Sequence, residues 1–189
     1  MYSEGLDRWI CTPAAGPAET ARTNWPQAAH EDAKRAMRLT DILSPECVKV
    51  PLSATDKKSA IAELVELLAA AGKVTDREQM LQAALERETT RTTGIGNGLA
   101  IPHGKCAAAR TLVMAMGKPA APIDFDSIDG KPVNIVILLA SPPDKTGPHI
   151  QALARVSRLM TDPKVRAALD KAPTAAEVFA TIAAHEGEK

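Results

Sequence analysis

The sequence predicts an α/β domain of three layers, with helices on both faces of a small sheet. Three observations carry this. Val133 to Ala140, VNIVILLA, is an uninterrupted apolar run of strand length, as in a central strand covered on both sides. Segments with apolar residues at helical spacing lie both before and after it. Shorter strand-like segments are scattered between them, so the helices must flank a common sheet.

The elements follow in chain order. Thr40 to Leu43 suits a short capped turn before Pro45, and Cys47 to Leu52 alternates like a strand. Thr55-Asp56-Lys57-Lys58 opens a helix with Ile61, Leu64, Val65 and Leu68 on one face, and Gly72 closes it. A second helix spans about Asp76 to Glu88, with Met80, Ala83, Ala84 and Arg87 at helical spacing. Asn97-Gly98 is a two-residue hairpin signal, so strands belong on both sides, with Leu99-Ala100-Ile101 leading to His103. Thr111 to Met116 reads as a strand, and Ser141-Pro142-Pro143-Asp144 stops the central one. Three helices close the chain, at about His149–Met160, Pro163–Lys171 and Thr174–His185. Asp162 and Thr174 serve as caps, and Pro163 stands at a first helical position.

Composition excludes several function classes. Lys plus Arg and Asp plus Glu are both 23, a net charge of zero, which lacks the positive excess that nucleic acid or an acidic membrane demands. Aromatics are 3%, too few for base-stacking platforms, so the core must be aliphatic. Cys11, Cys47 and Cys106 show no C-x-x-C spacing; neither a disulfide framework nor a zinc site is expected, and no metal or cofactor is assigned. No stretch reaches the roughly 18 apolar residues of a membrane span. A cytoplasmic chain without membrane insertion is the simple reading. Residues 1–36 hold both tryptophans, the tyrosine and scattered prolines without a sustained period, and read as a poorly ordered extension before a domain at 37–189. A short helix around Ala28–Met37 fits there, as does a docking arm using Trp9 or Trp25.

The chemistry concentrates in Thr92 to Lys105, TTGIGNGLAIPHGK. Gly94, Gly96, Gly98 and Gly104 let the backbone approach closely and offer N–H groups to phosphoryl oxygens. Pro102 stiffens the approach to His103, and Gly104 leaves room beyond it. A phosphoryl-accepting histidine needs one bare, exposed nitrogen and a fixed acceptor for the other. The segment is not a Walker A loop, because no G-K-[ST] follows. Nor is it a dinucleotide fingerprint, because Leu99 stands where Gly or Ala belongs. His149 follows the buried strand at the start of a helix, where sites and anions gather; it reads equally as a surface residue or cap. Arg87 serves to neutralise phosphate, or pairs with Glu86 or Glu88 in solvent.

At these residues the chain resembles the enzyme IIA proteins of the fructose/mannitol class in the phosphoenolpyruvate:sugar phosphotransferase system, especially their nitrogen-regulatory branch. The likeness runs from about Leu39 to Ala184. It rests on RE-x4-TGIGNGLAIPHGK, on LTDILSPE and PIDFDSIDGKPVNIVILLASP, and on T-x-x-H-x-x-x-L from Thr146 to Leu153. The resemblance implies an α/β/α fold with a small mixed sheet, of the phosphotransferase/anion transport protein type. It implies that His103 is phosphorylated, that a histidine phosphocarrier protein (HPr- or NPr-like) is the donor, that His149 is the neighbouring histidine and that Arg87 is the arginine of the R-E pair. Regulated targets would be a sensor kinase or an ion transporter. Arg91-Thr92 departs from the Gly-Ser that relatives often carry, adding a cation beside the site. A sugar-specific IIA component serving a IIB protein, and an interaction module that never receives phosphate, are the alternatives.

Overall fold

In the computed structural model the described residues are 37–187. The expected features of the leader lie outside them. From Met37 onward the chain forms one compact unit. It begins with a 3-10 turn, Leu39–Asp41, followed by β1 (Leu43–Leu52), α1 (Lys57–Ala70) and α2 (Arg77–Thr90). Three very short strands come next: β2 (Gly94–Gly96), β3 (Leu99–Ala100) and β4 (His103–Lys105). Then follow β5 (Val113–Pro119), β6 (Ile135–Ser141), α3 (Thr146–Thr161), α4 (Pro163–Lys171) and α5 (Ala175–Gly187).

The sheet is mixed and six-stranded, in the order β1-β5-β6-β3-β2, with β4 also on β6. β6 runs antiparallel to β5 and parallel to both β3 and β4. β3 pairs with its first residues, Ile135 and Val136, and β4 with its last, Leu139 to Ser141. These two segments are therefore one broken strand, interrupted at Ile101-Pro102. Every residue of β6 is buried, so both of its faces are covered. Helices α1 and α2 pack together over β1, β4, β5 and β6, while α3, α4 and α5 pack together on β6 and β1.

Local chemistry sets the ends of the elements. Asp56 caps α1 by accepting from the N–H groups of Lys58 and Ser59 at 2.9 and 3.0 Å. Gly72 ends it with a positive φ of 67°. Asp76 caps α2 through Gln79 N–H at 3.0 Å, and Asp162 caps α4 through Lys164 N–H at 2.9 Å. Asn97 and Gly98 both adopt positive φ, 53° and 69°, the conformation that an Asn-Gly hairpin turn requires. At the other end of α4, the Lys118 ammonium donates to the carbonyls of Leu169, Asp170 and Ala172.

Four expected boundaries differ. β1 starts at Leu43, ahead of the alternating stretch, because its pairing with β5 slips between Leu43 and Val48. Pro45 lies within that slip, where its missing N–H interrupts no ladder bond. The expected strand at Thr111–Met116 is displaced to Val113–Pro119. Val133 falls outside β6 and instead exchanges backbone hydrogen bonds with Ile123 at 2.7 and 2.9 Å. Finally, α3 begins at Thr146, one turn earlier than expected, since Pro148 is tolerated in the first helical turn.

β4 reaches the core because α2 lies directly on Gly104. A Cβ there would meet Met80 Cε at 2.6 Å and the backbone of Ala84 and Ala83 at 3.0 and 3.2 Å. Gly104→Ala is therefore expected to cost about 1–3 kcal/mol of stability, as overpacking does. Urea unfolding checks this; an unchanged midpoint would show that α2 yields freely.

Candidate functional site

His103 opens β4, immediately after the break at Pro102, and its ring is half-buried. Its Nδ1 lies 2.9 Å from the carbonyl oxygen of Ile101. A carbonyl can only accept, so Nδ1 carries the proton and Nε2 a bare lone pair. That lone pair accepts from Arg87 Nε at 3.0 Å. Burial holds the His103 pKa below its ordinary value, and the cations of Arg87 and Lys105 push the same way. The Ile101 carbonyl and Glu88 oppose them without reversing the shift. The lowered pKa favours the neutral ring, and the Ile101 contact fixes which nitrogen holds its proton.

Arg87 comes from the last turns of α2. Its Nη1 donates to the carbonyl of Arg91 at 2.9 Å, which orients the guanidinium. It does not form the solvent ion pair with Glu86 or Glu88 considered from sequence. Glu88 instead turns inward and is buried. Its carboxylate accepts from Thr93 N–H at 3.1 Å and from Thr93 Oγ1 at 2.5 Å, with Lys57 Nζ at 3.5 Å. Thus two adjacent residues do opposite jobs: Glu88 roots the segment after α2, and Arg87 reaches over the histidine.

His149 is brought to His103 by α3, with ring centroids 5.5 Å apart and planes inclined at 56°. It is 1% exposed, which overturns its reading as a surface residue or cap. Its Nδ1 contacts Ser141 Oγ at 2.7 Å, while its Nε2 is buried without a hydrogen-bond partner. Burial, with help from His103 and Lys105, lowers its pKa to about 4. Lys105, beyond His103, is tied to the start of α3 by its Nζ donating to Thr146 Oγ1 at 3.0 Å.

The surface opens here into two adjoining clefts. One, of about 400 Å³, is lined by Arg87, His103, Gly104, Lys105, His149, Ile150 and Leu153. The other, of about 290 Å³, shares Arg87, His103 and Leu153 and extends past Arg91, Thr92, Thr93, Ile95 and Ile128. Ile95, Ile128 and Ile150 are the large exposed hydrophobics among the described residues. All three border these clefts, an apolar rim around a polar floor.

Of the four glycines considered as phosphate donors, Gly104 lines one of these two clefts and the other three line neither. Gly94 packs on Ser127, Gly96 on Asp129 and Gly98 on Asn134. The Gly94 N–H donates to Thr92 Oγ1 at 3.1 Å. All three lie in the hairpin of β2 and β3 or its turn. Sequence reasoning missed Ser141, Ile128, Ile150 and the inward role of Glu88. The spacing of Glu88 to Thr93 was a readable sign of the last, but the others depend on chain crossings.

The class the fold and site define is an α/β domain with a mixed sheet, in which a histidine that accepts a hydrogen bond from an arginine stands beside a second, buried histidine. Comparison with known proteins gives the family. Residues 41–185 match the family described as phosphoenolpyruvate-dependent sugar phosphotransferase system, EIIA 2. The chain belongs to it. It is 34% identical over 149 residues to a nitrogen regulatory protein of Bradyrhizobium diazoefficiens, covering 78% of this chain and 95% of that one. It is 33% identical over 150 residues to the fructose-specific EIIABC component of Bacillus subtilis, covering 79% of this chain. It spans only about a quarter of that longer relative, 24%. The crystal structure of nitrogen regulatory protein IIA-Ntr from Neisseria meningitidis superposes with a TM-score of 0.71 at 28% identity, over 76% of this chain and 98% of that one.

Burial of His149 has a measurable consequence. Unfolded, the ring titrates near 6.5; folded, near 4. The unfolded state therefore binds the extra proton first as pH falls. This contribution to stability is complete above pH 6.5 and declines toward pH 4, by up to about 3 kcal/mol. A nuclear magnetic resonance titration of the His149 ring is expected to show a midpoint near 4; a midpoint near the free value would contradict its burial.

Proposed function

We propose that this chain is a cytoplasmic phosphocarrier of the nitrogen-regulatory kind, which accepts a phosphoryl group on His103 Nε2 from a histidine phosphocarrier protein and signals through its phosphorylation state. The observation that carries the reading is the hydrogen bond from His103 Nδ1 to Ile101, which keeps the proton on Nδ1 and leaves the lone pair on Nε2. In the transfer, the Nε2 lone pair forms the new N–P bond while the donor's N–P bond breaks. Those electrons return to the donor imidazole. No proton moves, because Nδ1 keeps its own.

Arg87 Nε occupies the lone pair at rest and must slide aside as phosphorus arrives. Its planar fork then suits two phosphoryl oxygens. Gly104 and the neutral His149 line the same cleft and offer further contacts. Arg91 and Lys105 add positive charge at its edges. Phosphoryl transfer asks little more of a protein than such placement. The apolar rim of Ile95, Ile128 and Ile150 fits docking of a partner protein over the histidine. A phosphoryl group would put about two negative charges in the middle of that face, favouring some targets and excluding others. A sensor kinase and an ion transporter are the kinds of target envisaged.

The similarity to a fructose-specific component favours a second reading, with the same chemistry but a IIB protein as the recipient. Incubation with phosphoenolpyruvate, enzyme I and carrier is expected to give acid-labile label on the wild type and none on His103→Ala. Arg87→Ala is expected to slow labelling roughly 10²-fold, as loss of one preorganised donor does. Equal labelling of wild type and His103→Ala refutes the assignment. Onward transfer to a IIB partner, with a sugar-uptake defect on deletion, would select the second reading.

A further inference from the structure

The phosphoryl-acceptor reading explains His103 and Arg87 but leaves Ser141 without a role. Ser141 ends β6, pairs with Lys105 of β4 and is fully buried. Its carbonyl already accepts from Cys106 N–H at 3.1 Å. Its hydroxyl lies 2.7 Å from His149 Nδ1 and has no other hydrogen-bond partner among the described residues.

Two proton arrangements are available, and they differ in what they leave unpaired. If His149 Nδ1–H donated to Ser141 Oγ, the serine proton would have no acceptor and the Nε2 lone pair no donor. If the serine donates to Nδ1, only the Nε2–H remains unpaired. Each unpaired buried polar group is costly, so the second arrangement wins. It also leaves a donor, not an acceptor, on the free edge of a ring 5.5 Å from the His103 ring and lining the same cleft. An acceptor there would repel phosphoryl oxygens; a donor binds them.

We propose that Ser141 is a positioning residue for the phosphoryl site: by donating to His149 Nδ1 it keeps the second proton of that ring on Nε2, where it can donate to an oxygen of the group on His103. The inference rests on the phosphoryl-acceptor reading. The resting site holds an unpaired buried donor, and the arriving anion relieves it, so the contact stabilises the phosphorylated state selectively. The low pKa of His149 agrees, since the ring then works as a neutral donor. The two histidines are opposite tautomers: His103 is protonated on Nδ1 by its carbonyl partner, His149 on Nε2 by its hydroxyl partner.

Long-range proton–nitrogen spectra of the full chain, with histidine rings labelled with nitrogen-15, read both tautomers directly. The expected result at neutral pH is Nε2–H for His149 and Nδ1–H for His103. Nδ1–H on His149 overturns the proposal, and this measurement needs neither a variant nor any phosphoryl transfer. It therefore stands apart from the labelling test: absence of label refutes the function, not the tautomer. In Ser141→Ala, the His149 proton is expected to redistribute between its nitrogens, and phosphohistidine at His103 to hydrolyse roughly three- to tenfold faster, the effect of one lost hydrogen bond. Ser141→Thr, which keeps the hydroxyl, is expected to restore both. A Ser141→Ala protein with the wild-type phosphohistidine lifetime overturns the proposal whatever its tautomer.

Discussion

Everything at this site depends on a contact that spans two residues, the 2.9 Å hydrogen bond from the His103 ring to the Ile101 carbonyl. Histidine has two nitrogens of similar basicity, and a loose ring would share its proton between them. The carbonyl removes that freedom, because it has lone pairs and no proton to give. The ring can make the contact because Pro102 breaks the strand between the two residues. The pieces on either side, β3 and β4, are each clamped to β6, so the kink cannot relax.

Around that ring the side chains of one sign gather and those of the other turn away. Arg87 rests on His103 Nε2, Arg91 and Lys105 border the clefts, and the carboxylate of Glu88 is turned inward. Glu88 is neutralised where it sits by Lys57 and by two donors from Thr93. Had it faced the cleft beside Arg87, the two would have cancelled. The buried network separates them although they are neighbours in sequence. The same network ties the hairpin to the end of α2 and thereby fixes the height from which Arg87 reaches down.

The second histidine shows how burial substitutes for chemistry. In water an imidazole is protonated for part of the time near neutral pH, and such a charge beside Arg87 and Lys105 would vary with pH. Enclosure by β6 and α3 suppresses the charged form and leaves a neutral ring of fixed orientation. The apolar rim follows the same logic on a larger scale. Ile95, Ile128 and Ile150 come from three separate segments and converge only where the chain folds around His103.

Sequence by itself settled what depends on neighbours along the chain. Asp56, Gly72, Asp76, Asn97-Gly98 and Asp162 were readable as caps and turns because each acts on backbone within a few residues. The unbroken apolar run around β6 announced a strand covered on both faces. Pro102-His103-Gly104 in its glycine setting singled out the histidine that lines both clefts. The start of β1 and the limits of β6 were misplaced because pairing with a distant strand, not local composition, decides where a ladder begins. The glycines were legible as a close approach, but not what they approach; three of them meet Ser127, Asp129 and Asn134. Only the tertiary structure set Arg87 on Nε2, buried His149 beside His103 and put Ser141 behind it. These groups are 16, 46 and 38 residues from His103 along the chain (103 − 87, 149 − 103, 141 − 103). A proton's position on a ring, and the pKa that keeps it there, are properties of the surrounding dielectric and partners, which exist only once β6, α2 and α3 have closed around the broken strand.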